Sequence, residues 1–131
     1  MYERIVVGVS KAESAKEAAR HAIELAAKLG AQLHVVTAFD GSDARRAREE
    51  REHAEGFVES IVLAAPTSAS IRTHALPGDP ASAILEMAEV IDADLIVVGN
   101  KGMKGAGRIL GSVPGTVVRR APCSVLIVST T

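Results

Sequence analysis

Five apolar runs, Ile5–Val9, Leu33–Ala38, Ile71–Leu76, Leu95–Val98 and Val125–Val128, recur along this chain between longer alanine-rich segments. Strands with one wet face alternate apolar and polar residues, whereas continuous apolar strands belong to a parallel sheet covered on both faces. The intervening stretches near 12–29, 43–64, 80–92 and 113–121 carry the amphipathic pattern of helices. A strict β-α-β-α order implies an α/β fold: an open, doubly wound, five-stranded parallel sheet with right-handed crossovers and helices on both faces. The expected strand order is 3-2-1-4-5, and Ile71–Leu76, diluted by His74, is expected at an edge. At 131 residues, one domain spanning 1–131 is expected, with no repeat and no linker.

Turn and cap residues sit where this order needs them. Gly30 follows the first helix as a C-cap, and Asp79-Pro80 offers an N-cap and a first-turn proline to the third. Ser112, with Pro114 close behind, opens the fourth helix, and Pro122 stops it. For the first helix two capping boxes compete, Ser10 with Glu13 and Ser14 with Glu17. The segment Asp40–Glu59 holds seven acids and four arginines at helical spacing, the pattern of a solvated helix face or, less simply, of a partner surface.

Charge is unevenly spread. The net charge of -1 comes from 15 basic and 16 acidic residues, yet no acid occurs after Asp94, where Lys101, Lys104, Arg108, Arg119 and Arg120 lie. Within this basic stretch the run Leu95–Val98 gives way to a loop with five glycines: Gly99, Gly102, Gly105, Gly107 and Gly111. A buried strand leading into such a loop exposes backbone N–H groups to an anion, and a phosphate fits. In doubly wound sheets the ligand crevice lies at the carboxyl ends of the strands where winding reverses, here after Val9 and after Val98. Gly99 and Gly102 are expected to turn with positive φ, and Gly111 and Ser112 to present N–H groups and a hydroxyl at a helix N-terminus. The plainer alternative is that Gly99 ends a strand, Ser112 caps a helix and the lysines are solvated.

Several chemistries lack support. A net charge near zero argues against nucleic-acid and membrane-surface binding, and Tyr2, Phe39 and Phe57 are too few to stack bases. No Gly-Lys-Ser/Thr occurs, and Gly105-Ala106-Gly107 lies after the wrong strand for a dinucleotide fingerprint. His21, His34, His53 and His74 fall on different elements without metal-ligand spacing, His21 and His53 on helix surfaces and His34 in a strand. Cys123 is the sole cysteine; it reads as a small buried hydrophobe rather than a reactive thiol and suits a reducing, cytoplasmic location. No nucleophile elbow is present and no carboxylate pair points at the glycine loop, so no catalytic residue is assigned.

Taken along nearly its whole length, the chain resembles the universal stress protein family. The resemblance rests on Ile5-Val6-Val7-Gly8-Val9-Ser10, Gly78-Asp79-Pro80, Ala93-Asp94-Leu95-Ile96-Val97-Val98-Gly99, Gly111-Ser112-Val113 and Arg120-Ala121-Pro122-Cys123-Ser124-Val125. It implies a Rossmann-like fold of the adenine nucleotide alpha hydrolase type. The family's nucleotide-binding branch carries Gly-x2-Gly-x9-Gly-Ser/Thr; Gly99, Gly102, Gly111 and Ser112 match it with one residue fewer, eight separating Gly102 from Gly111. Ser10 stands where the family places an aspartate. The resemblance implies ATP or a related adenine nucleotide, with or without magnesium: base against Val9, Ala38 and Val98, phosphates against Gly102, Gly111, Ser112 and Val113. It also implies a homodimer through the strand Val125–Val128 and a sensory rather than enzymatic role, with at most slow ATP hydrolysis. The short loop and Ser10 leave two alternatives, a dimer acting through protein contacts alone and a cyclic-nucleotide binder.

Overall fold

The computed structural model describes residues 1–65, 70–101 and 110–130. Nine elements follow in order: β1 (Arg4–Gly8), α1 (Glu13–Leu29), β2 (Gln32–Phe39), α2 (Ala47–Leu63), β3 (Ser70–Pro77), α3 (Pro80–Val90), β4 (Leu95–Lys101), α4 (Ser112–Arg120) and β5 (Ser124–Thr130). All pairings are parallel and the sheet runs β3-β2-β1-β4-β5, as expected. The diluted strand Ile71–Leu76 is indeed an edge.

The sheet separates two apolar layers. Ile5, Val7, Leu33, Val35, Leu95 and Val97 face α1 and α2, whereas Val6, Val36, Ile96 and Val98 face α3 and α4. Because side chains alternate along a strand, a continuous apolar run supplies both layers at once. Alanines 18, 19, 22 and 26 give α1 a narrow buried face that lets it approach the central strands closely. Among the described residues no helix is long and apolar enough to cross a membrane.

Several boundaries differ from expectation for local reasons. β4 runs to Lys101 and β5 to Thr130, since Gly99 pairs with Val128, Asn100 with Ser129 and Lys101 with Thr130. A neighbouring ladder satisfies backbone groups whatever the side chain, so glycine and asparagine remain in the strand. Neither Ser10 nor Ser14 caps α1: its N-cap is Ala12, with no side-chain hydrogen bond. The Ser10 hydroxyl instead accepts from the Ala12 N–H at 3.2 Å, a local turn that competes with capping. Asp43 likewise accepts from the Arg45 N–H at 2.9 Å, and α2 starts only at Ala47. Asp79 does cap α3, accepting from the Ser82 N–H at 3.1 Å with Pro80 behind it, and the Ser82 hydroxyl first and then this amide lower the Asp79 pKa. That helix ends at Val90 rather than 92, with Asp92 at φ 56. Gly30, at φ 65, closes α1 as expected.

Candidate functional site

A cleft of about 310 Å³ opens at the carboxyl ends of the central strands, between the N-terminal turns of α1 and α4. Eight of the nine residues expected at a nucleotide site line it: Val9 and Ser10 after β1, Ala38 on β2, Val98 and Gly99 on β4, and Gly111, Ser112 and Val113 where α4 begins. The ninth, Gly102, lies outside the described residues, as do Lys104, Gly105, Gly107 and Arg108.

How these residues serve the cleft differs from the sequence reading in three respects. Gly99 does not turn with positive φ; it sits in β4 opposite Val128. Glycine is required there by packing, since a Cβ would collide with the carbonyl of Ser14 in the first turn of α1. The Val9 N–H is committed to the ladder, donating to the Val36 carbonyl at 2.8 Å, so only its carbonyl remains for a ligand. The Gly111 N–H is also occupied: it donates to Asn100 Oδ1 at 2.8 Å.

Asn100 was not singled out in the sequence, although a polar residue following an apolar strand run is the available signal. Its side chain is 2% exposed. By holding the N-cap of α4, it joins the two ends of the loop that carries the glycines.

With Gly111 engaged, the anion-binding capacity of α4 can be counted. The first amides of a helix have no intrahelical acceptor. Here Gly111 is the N-cap, Ser112 and Val113 follow, and Pro114 has no N–H to give. The Ser112 and Val113 amides have no hydrogen-bond partner among the described residues, and both residues line the cleft. The Ser112 hydroxyl adds a third donor beside them. Exposed Lys101 stands at the rim, and no carboxylate or imidazole is among the described lining residues. The helix dipole and this cation therefore favour a negative guest, with no competing acid among the described lining residues.

The remaining wall is mostly apolar. Ala38 and Val98, together with Ala83 and Ile84 of α3, form it from the second core layer. Ile84 was not assigned to the site from the sequence, because α3 is brought to the cleft by the crossover that packs it on the sheet. Such a surface suits a flat heterocycle next to a phosphate.

Titratable groups elsewhere behave as structural ones. Burial first, and then the nearby Asp94, raise the Cys123 thiol above its ordinary pKa, which disfavours the reactive thiolate. His21 and His53 are exposed on their helices, as expected. His34 is 4% exposed, and the fold brings it against His74, Nδ1 to Nε2 at 2.8 Å, while Gln32 Oε1 lies 2.9 Å from its other nitrogen. Among the described residues no group of three or more histidine, cysteine or acidic side chains can hold a metal ion.

Comparison with known proteins agrees with this geometry. The family model described as "Universal stress protein family" matches residues 1–129. A universal stress protein of Methanocaldococcus jannaschii is 35% identical, covering 98% of this chain and 82% of its own length. The crystal structure of a universal stress protein in complex with cAMP is 34% identical, with a TM-score of 0.71 over 99% of this chain and 98% of the other. A universal stress protein from Archaeoglobus fulgidus in complex with dAMP is 27% identical, with a TM-score of 0.71 over 96% and 97% of the two chains.

Proposed function

The chain belongs to the universal stress protein family, and from that premise we propose that it binds an adenine nucleotide as a sensor or regulator in stress response. The observation that carries this reading is the pair of amides, Ser112 and Val113, without a partner among the described residues, at the mouth of a cleft whose other wall is mostly apolar. Phosphate oxygens accept from those amides and from the Ser112 hydroxyl, and the base lies against Ala38, Val98 and Ile84. The relatives whose structures hold cAMP and dAMP support an adenine ligand. The described walls supply no carboxylate to a magnesium ion and no general base, so the role assigned is binding rather than turnover.

A second ligand reading, a cyclic nucleotide, has a specific observation in its favour. Asn100 occupies the Gly111 amide, which leaves, among the described residues, donors for one phosphate rather than a chain of three. Calorimetric titration with ATP, ADP, AMP and cyclic AMP separates these readings. Binding in the micromolar range, about -8 kcal/mol, is expected for at least one of them. Equal affinity for all four nucleotides removes the argument from phosphate count. Silence across the panel removes the nucleotide reading and leaves a family member acting through protein contacts.

The same premise extends to assembly. β5 is a sheet edge on which Leu126 is 41% exposed. An uncovered apolar edge invites strand pairing, and two copies meeting antiparallel across a two-fold axis close it.

A further inference from the structure

Beside the cleft lies a second cavity, of about 430 Å³, roofed by the N-terminal half of α2. The two share Ser10, Thr37 and Ala38, so the strand end of β2 forms the threshold between them. Thr37 is the unusual residue here. It is 7% exposed, and its hydroxyl has no hydrogen-bond partner among the described residues. Burying a hydroxyl unpaired is costly, so one kept at a threshold between cavities is suited to a guest.

Beyond the threshold Phe39, Ala54 and Phe57 give the wall an apolar part, and its charged and titratable residues are Glu49, Glu50 and His53 from α2, Asp40 from the strand end, Arg46 at the α2 N-cap and Lys11. Asp40 is already engaged by the Ser42 N–H at 3.3 Å, whereas Glu49 and Glu50 have no ion-pair partner among the described residues. Three carboxylates against two cations favour a positive group.

Orientation follows from the proposed nucleotide reading, on which this inference rests. With phosphate at α4 beside β4 and two strand spacings of about 5 Å each between β4 and β2, the base edge farthest from the sugar reaches β2. In adenine that edge bears the exocyclic amino group. We infer that the second cavity is a subsite for a substituent carried on that amino nitrogen and ending in an ammonium group, with the Thr37 hydroxyl accepting the remaining N–H at the threshold. The ligand class is an adenine nucleotide bearing an amine-terminated chain at its base.

The experiment is a titration of AMP, of AMP with an aminohexyl chain on the exocyclic nitrogen, and of the isomer with that chain on the imidazole-ring carbon. Wild type, Thr37→Val and Glu50→Gln are compared. Wild type is expected to hold the exocyclic derivative at least as tightly as AMP. In Glu50→Gln the ratio of the two affinities is expected to fall about tenfold, the scale of one hydrogen bond to a charged group, whereas Thr37→Val is expected to weaken AMP and its exocyclic derivative alike by about fivefold, since both offer an N–H to the hydroxyl. Thr37→Val, nearly the same shape, is also expected to melt higher than wild type when empty, which separates loss of recognition from loss of fold. The subsite is overturned if AMP binds while its exocyclic derivative is rejected, if the ring-carbon isomer binds equally well, if Glu50→Gln leaves the ratio unchanged, or if Thr37→Val binds both AMP and the derivative as tightly as wild type. Failure of all three ligands to bind wild type overturns the nucleotide reading and this subsite with it.

Discussion

At the scale of single residues, the internal polar groups of this sheet are few and each has a definite consequence. Gln32 Oε1 is an acceptor, so His34 Nε2 carries a proton and His34 Nδ1 accepts from His74 Nε2. The chain of bonds is complete with both rings neutral. Burial, then His74, Arg72 and Arg4, lower the His34 pKa from 6.5 to about 4; burial and then Arg72 lower that of His74. Below pH 6.5 the unfolded chain therefore takes up protons that the folded one refuses, and stability falls with pH. The contribution is fully present above pH 6.5 and is lost as pH falls towards about 4. Urea unfolding is expected to show a loss on the order of 2 kcal/mol across that window. His34→Leu with His74→Leu is expected to flatten the slope; an unchanged slope assigns the acid sensitivity elsewhere. None of this pairing was visible in a sequence where the two histidines stand forty residues apart.

At the scale of elements, the site is made at the ends of helices rather than in their bodies. The N-terminus of α4 permits a clean separation of amide from hydroxyl. Gly111, at φ -64 and ψ 173, already has the extended conformation that a following proline requires. Proline is well accepted at the first helical position, so Ser112→Pro removes one amide and one hydroxyl and leaves the helix standing. Nucleotide affinity is expected to drop by about tenfold or more, and Ser112→Ala by less, each measured by calorimetry beside an unchanged far-ultraviolet dichroism spectrum. Equal affinity for all three proteins means the phosphate is held elsewhere. Element types and most caps could be read from the sequence, because they rest on local bonds such as that of Asp79 with Ser82. The start of α1 could not, because Ser10, Glu13, Ser14 and Glu17 spell two equivalent boxes, and the chain uses a turn at Ser10 and neither box.

At the scale of the whole molecule, the exposed edge of β5 is the surface with most to gain from a second copy. Leu126→Glu places a charge at the centre of that edge. It is expected to turn a dimer into a monomer in sedimentation equilibrium, with the fold kept, because Leu126 lies on the accessible side of the strand. A wild-type protein that sediments as a monomer removes the dimer from the proposal. The parallel sheet, its two-layered core and the placing of a crevice after Val9 and Val98 were determined by the sequence, while the strand order was expected as the common one for such sheets. The sheet and its two layers follow from continuous apolar runs separated by amphipathic helices, and the observed order is the expected one. What only the tertiary structure decided is which polar atoms meet. Asn100 reaches Gly111, His34 reaches His74, and Thr37 is left at a threshold without a partner among the described residues, all because strand register and crossover packing place distant residues within 3 Å of one another or keep them apart. A hydrogen bond depends on tenths of an ångström set by every packed layer at once, whereas burial of an apolar run depends only on its being apolar.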